Sequence, residues 1–177
     1  MRTYFAPRLV LPVSARDHIR GPAAAPVTIV EYGDYECPYC GTASAVVDDL
    51  RSEAGDSLRF VFRNFPMTEV HPHAEHAAEI AEAAAMHDKF WEMHDMLYAH
   101  QDALDDQHLA EYAVALGLPT SDLRALAKNA YLPRVREDFL SGVRSGVNGT
   151  PTFFINGVRH DGSYDLEALR DAVSKAA

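Results

Sequence analysis

Strand-forming sequence is confined to a few short stretches of this chain, and their placement constrains the fold more than any other feature. Val27-Thr-Ile-Val-Glu-Tyr32 is an apolar run suited to a buried strand. Leu58-Arg-Phe-Val-Phe-Arg-Asn-Phe65 alternates through Leu58, Phe60 and Phe62. Strand character returns only at Thr152-Phe-Phe-Ile155. Between these, from about Pro72 to Gly142, the apolar residues recur at helical spacing. Ala77, Ile80, Ala81 and Ala84 form one stripe, and Phe90, Met93 and Leu97 another. Leu109, Tyr112, Ala113 and Leu116 form a third, stopped by Gly117; Leu123 and Leu126 mark a short helix, and Leu132, Val135, Phe139 and Val143 a last one. One sheet must therefore draw its strands from both sides of a helical insertion.

The segment between the first two strands repeats apolar residues at Ala43, Val46, Val47 and Leu50, so a helix is expected over Thr42–Leu50. Strand–helix–strand in so short a stretch is a right-handed βαβ unit with parallel pairing. Asn156-Gly157 suits a two-residue hairpin turn, because both central residues of that turn need positive φ. Val158-Arg-His160 is the return strand, and Asp165 caps a final helix carrying Leu166, Leu169 and Val173. The fold class is α/β: a mixed sheet in the order βαβ then ββα, with an inserted all-helical subdomain. The expected division is an N-terminal extension over 1–26, the α/β domain over 27–66 and 143–177, and the helical insertion over 67–142. Leu9-Val10-Leu11 is expected to add a short strand to the extension.

The 177 residues include two cysteines, Cys37 and Cys40, separated by Pro38-Tyr39. No other cysteine is available for a four-cysteine zinc site or a structural disulfide framework. The pair lies where the first strand hands over to a helix N-terminus, and there the helix dipole and unpaired N–H groups favour a thiolate. Three residues is about one helical turn, so the two sulfurs can meet and form a reversible bridge. Cys37, nearer the helix end, is the expected nucleophile. Cys40, deeper, is the resolving thiol that releases a mixed disulfide. Pro38 suits a first-turn position, where its missing N–H is harmless. Tyr39 is placed to tune the thiolate.

The segments Val27–Cys40, Phe60–Pro66 and Val147-Asn-Gly-Thr-Pro-Thr-Phe-Phe-Ile-Asn-Gly157 carry a family likeness. Over residues 17–175 the chain resembles the DsbA-like thiol–disulfide oxidoreductases of the thioredoxin superfamily. It is also similar to the DsbA-like domain fused to some bacterial sodium/proton antiporters. The resemblance implies a thioredoxin-like fold and exchange of the Cys37–Cys40 couple with protein disulfides, protein dithiols or small thiols. A redox partner would recycle the pair, and no cofactor is required. By the same resemblance Thr150-Pro151 is a cis-proline dipeptide facing the cysteines, where the Thr150 backbone can receive a substrate segment like an added strand. Glu31, six residues before Cys37, corresponds to a buried acid that helps move the proton of the resolving cysteine. Pro38-Tyr39 resembles the dipeptide of glutaredoxins rather than that of periplasmic oxidases, which leaves the direction of electron flow open.

Two other readings compete. The thiols could join His71, His73 and His76 in binding copper or zinc, although His71 and His73 flank Pro72 in a loop and need no such role. A non-catalytic interaction module descended from the antiporter-fused domain is the other. A net charge of −10 excludes a phosphate-binding surface of the kind nucleic acids need. No stretch reaches the ~20 apolar residues of a membrane span. The apolar residues after Arg2 are interrupted by Pro7, Arg8 and Pro12, short of the roughly 7–15 residues of an export signal. The expected location is the cytoplasm, or the periplasm if Met1 stands in place of an export signal.

Overall fold

A computed structural model describes residues 7–177. Five strands form one mixed sheet: β1 (His18–Arg20), β2 (Val27–Gly33), β3 (Leu58–Asn64), β4 (Thr152–Ile155) and β5 (Val158–His160), in the spatial order β1-β3-β2-β4-β5. β2 and β3 are parallel, with Val27 opposite Leu58 and Gly33 opposite Asn64. They are joined through α1 (Pro38–Ala54), as the βαβ pattern requires. The other pairings are antiparallel. Asn156 and Gly157 have φ of 46° and 77°, the positive values of a type I′ turn between β4 and β5.

Between β3 and β4 the chain forms α2 (Ala74–Ala85), α3 (Phe90–Ala99), α4 (Asp106–Ala115), α5 (Thr120–Leu126) and α6 (Leu132–Arg144), and α7 (Leu166–Ala176) closes the chain. One core joins Val27, Ile29, Phe60, Phe62, Phe153 and Ile155 of the sheet to Ala43, Val47 and Leu50 of α1 and Leu169 and Val173 of α7. That core continues into the insertion through Ala77, Ile80, Phe90, Met93 and Leu97. The sheet's opposite face carries Val30, Tyr32, Val61, Phe65 and Phe154, covered by Phe139 of α6 and by Leu9 and Val13.

Three features differ from the sequence expectation. Leu9-Val10-Leu11 is not a strand. It follows an isolated bridge between Arg8 and Val158 and bends at Val10 and Leu11, held by single bonds, with the Leu9 N–H donating to Gly157 O and the Val10 N–H to Ser145 Oγ. The edge strand is instead His18-Ile-Arg20, too short and polar to show a period. α1 begins four residues earlier than its apolar stripe, because Pro38 at its first turn is preset for helical φ. Val143 does not close the α6 stripe, being 49% exposed. The buried face of α6 passes through Val135, Asp138, Ser141 and Gly142, with the Ser141 hydroxyl 2.7 Å from Tyr32 Oη. At Gly142 a Cβ would lie 2.8 Å from the Phe65 ring, so only glycine admits this approach.

Charge is buried as well. Arg63 of β3 is fully enclosed and uses its whole guanidinium: Nε and Nη2 donate to Asp17 at 2.8 and 3.2 Å, Nη1 to Leu11 O and Tyr32 Oη, and Nη2 also to Pro12 O. Asp17 is equally enclosed, with a side chain 1% exposed. Removing one partner strands the other charge in the interior. Asp17→Ala is therefore expected to cost about 3–5 kcal/mol in denaturant unfolding. A change below ~1 kcal/mol would show that residues 7–20 lie on the surface of the fold without helping to hold it.

Candidate active site

The sheet's topology builds the site. β2 runs toward the end of the sheet at which α1 starts. β4 is antiparallel to β2, with Thr152 opposite Tyr32, so the residues just before β4 arrive at that same end. Thr150 therefore comes beside Cys37: Cys37 Sγ lies 3.5 Å from Thr150 O. The Thr150–Pro151 peptide is cis.

Cys37 is the N-cap residue of α1, with Pro38 in the first turn. Its carbonyl accepts from Cys40 N–H and Gly41 N–H at 3.0 and 3.1 Å, and its own N–H donates to Asp34 O. Both cysteines are free thiols and enclosed, Cys37 to 4% and Cys40 to 0% exposure. Tyr39 between them is 64% exposed. The sequence position of Glu31 puts it on the sheet face that bears α1, and its side chain is 1% exposed with Oε1 lacking a hydrogen-bond partner.

These placements split the two thiols. The neighbouring Cys40 thiol hydrogen-bonds to the Cys37 sulfur, and this is the largest influence drawing Cys37 down from 9.0 to about 5. Thr150 and the N–H groups of Cys40 and Tyr39 add to it, against a penalty from burial. Cys40 moves the other way, well above the ordinary thiol range. Burial is the main cause, followed by its bond to Cys37 and the negative charge of Glu31. Burial likewise pushes Glu31 up to about 8, aided by the charges of Cys37 and Asp48.

Three contributors were not legible as site residues. Asp34 carries no flanking pattern, yet its N–H points at Cys40 Sγ at 3.4 Å. Its carboxylate accepts from Glu36 N–H, Met67 N–H and His71 Nδ1, each at 2.8 Å. That buried carboxylate ties the cysteine loop to the loop after β3. Its one sequence signal is a short acceptor directly following a strand end. Gln101, in the loop after α3, donates to the carbonyls of Tyr35 and Cys37. The half-buried Tyr164 stands near enough for the charges of both cysteines to raise its pKa, after burial as the main cause.

The histidines do not gather at the thiols. His71 pairs with Asp34, His76 pairs with Asp106 at 2.6 Å, and the backbone N–H of His73 donates to Glu36. Among the described residues no group of three or more His, Cys, Asp or Glu is placed to hold a metal ion. The copper or zinc reading is not supported. Among those residues, too, no helix is long and apolar enough to cross a membrane.

Known proteins agree with this architecture. The family model described as thioredoxin matches residues 14–175. The curated Na(+)/H(+) antiporter NhaA 1 of Salinispora arenicola is 51% identical over 170 residues, covering 95% of this chain and 26% of that protein. Na(+)/H(+) antiporter NhaA of Herminiimonas arsenicoxydans is 47% identical over 154 residues, covering 86% of this chain and 24% of that protein. The chain thus spans about a quarter of the length of these curated relatives. Among solved structures, oxidised BdbD from Bacillus subtilis superposes with a TM-score of 0.83 at 23% identity, covering 97% of both chains. A thioredoxin-like oxidoreductase from Silicibacter pomeroyi gives 0.80 at 27% identity, covering 92% of this chain and 93% of its own. Wolbachia pipientis α-DsbA1 gives 0.80 at 19% identity, covering 95% and 94%. The fold is thioredoxin-like and of the α/β class.

Glu31 gives the geometry a pH signature. Its carboxyl holds its proton to about pH 8 in the folded chain and to 4.5 when unfolded. A raised acid of this kind contributes fully to stability below pH 4.5, and that contribution is lost as pH rises through 8. Glu31→Gln is therefore expected to stabilise the reduced protein by up to ~3 kcal/mol at pH 7 and by nothing at pH 4.5. Urea unfolding at the two pH values checks this, and an equal effect at both would contradict it.

Proposed function

This chain belongs to the thioredoxin family, and from that premise we propose that it is a dithiol–disulfide oxidoreductase acting through Cys37 and Cys40. The observation that carries the reading is the placement of two enclosed thiols at the start of α1, with Cys37 as its N-cap and its Sγ 3.5 Å from Thr150 O, and Cys40 one turn deeper. Cys37 is drawn down to about 5, and buried Cys40 is pushed up. At neutral pH the outer sulfur is a ready nucleophile while the inner one keeps its proton until needed.

In the reducing direction, the Cys37 thiolate attacks one sulfur of a substrate disulfide. The S–S bond breaks, the other substrate sulfur leaves as a thiolate and takes a proton, and a mixed disulfide remains on Cys37. Cys40 then gives up its proton, with Glu31 as the nearby acid–base group, and attacks Cys37 Sγ. The second substrate thiolate departs, and two electrons have passed from the pair to the substrate. Oxidation of a substrate dithiol runs the same steps backwards. The Thr150 backbone beside Cys37 positions the substrate segment, and Pro38 and Tyr39 border it. Substrates are protein disulfides, protein dithiols or small thiols, with a separate redox partner restoring the pair.

The depressed Cys37 favours the oxidising direction. A stabilised thiolate stabilises the dithiol form and so makes the disulfide form a stronger oxidant. The relatives named as antiporters suggest that this activity serves beside an ion-transport protein. That association concerns only the quarter of their length that matches.

Cys37→Ser is expected to abolish exchange with a model disulfide, and Cys40→Ser to accumulate the mixed disulfide, seen as a mass adduct. Full activity in Cys37→Ser would refute the assignment. Equilibration with glutathione buffers is expected to give a potential above about −220 mV, whereas a value near about −270 mV assigns the chain to the reductases.

A further inference from the structure

The exchange chemistry leaves Gln101 without a role, although its side chain joins the helical insertion to the backbone carbonyls of the cysteine loop. It lies in the loop between α3 and α4, outside the sheet. Its Nε2 is 2.7 Å from Tyr35 O and 2.8 Å from Cys37 O. A primary amide nitrogen has two hydrogens, and here each has its own carbonyl. Those two acceptors also fix the orientation, since the flipped amide would set Oε1 against two carbonyl oxygens. The first turn of α1 is shaped to receive it: a Cβ at Gly41 would overlap Gln101 Oε1. The amide thus lies across the one position in that turn that has no side chain.

The carbonyl it holds belongs to the nucleophile's own residue. Cys37 O already accepts the two N–H groups that open α1, so Gln101 is a third donor on that oxygen. A donor there offsets the oxygen's partial negative charge, which lies within the same residue as Sγ. It also fixes the peptide that aims Sγ at Thr150 O. We propose that Gln101 is a positioning residue for the nucleophile, through which the helical insertion sets the orientation and reactivity of the Cys37 sulfur. The inference rests on the reading of Cys37 and Cys40 as an exchanging pair.

The test uses the full chain and three measurements: thiolate absorbance near 240 nm against pH, equilibrium with glutathione, and the thermal midpoint. Gln101→Leu removes both donors. The Cys37 titration is expected to rise by about one pH unit. The equilibrium should shift about tenfold toward the protein disulfide, ~30 mV for a two-electron couple. Gln101→Glu, of nearly the same size, should shift both at least as far in the same direction, because it sets oxygen against oxygen. Gly41→Ala displaces the amide while leaving Gln101 in the chain, and should move both readouts the same way. The Gly41→Ala/Gln101→Leu double variant should add nothing further, as expected when two changes remove one interaction. If the Gln101 variants alter only the thermal midpoint, with titration and equilibrium as in the wild type, the inference is overturned. If Gln101→Leu does not fold, Gln101→Glu and Gly41→Ala decide. A wild-type chain that never exchanges with glutathione would defeat the oxidoreductase reading instead, while the thiolate titration still decides the role of Gln101.

Discussion

The antiparallel pairing of β4 with β2 is the constraint on which the site depends. Parallel β2 and β3 with α1 between them would by themselves place a helix N-terminus, and the two thiols, at one end of a sheet. The reversed direction of β4 brings Thr150 and Pro151 to that same end, although more than a hundred residues separate Cys37 from Thr150. Had β4 been parallel to β2, its leading residues would meet the opposite end, and the Thr150 carbonyl would have no access to Cys37 Sγ. The helical insertion is tolerated because it leaves and rejoins the sheet without disturbing this pairing.

Burial then does the chemical differentiation. Three ionisable groups, Cys37, Cys40 and Glu31, share a poorly solvated volume, and each negative charge makes the next more costly. Only Cys37 has enough donors around it to carry charge comfortably. Cys40, deeply buried with a single donor at Asp34 N–H, and Glu31, buried with Oε1 unpartnered, hold their protons. The asymmetry comes from depth and donor count rather than residue type, since the two thiols are chemically identical.

Where residue type and spacing carry the information, the sequence was a good guide. The Cys37–Cys40 spacing, the β2 and β3 patterns, the Asn156-Gly157 turn and the Asp165 cap all follow from local chemistry. It was a poor guide where a polar residue works over a long distance. Arg63 reads as the outward member of an alternating strand, yet it is buried against Asp17 and the Leu11 and Pro12 carbonyls. Asp138 and Ser141 lie on the buried face of α6 where an apolar stripe was expected, because they bond to Asn64, Arg134 and Tyr32. Gln101 and Asp34 sit in loops, where no period exists to reveal a partner.

Residues 7–20 pass along β5 at one edge of the sheet, cross its second face and, as β1, pair with β3 at the other edge. Their anchors are distant in sequence: Val10 and Ser145 are 135 residues apart. Contacts of such separation form late, because a long loop must close before they contribute anything. Until β5 exists, Pro7 and Leu9 have no strand to lie along. The cysteine loop, built mostly from nearby residues, has no such wait. Its missing pieces are Thr150 and the amide of Gln101, so the thiols emerge well before the surroundings that tell them apart.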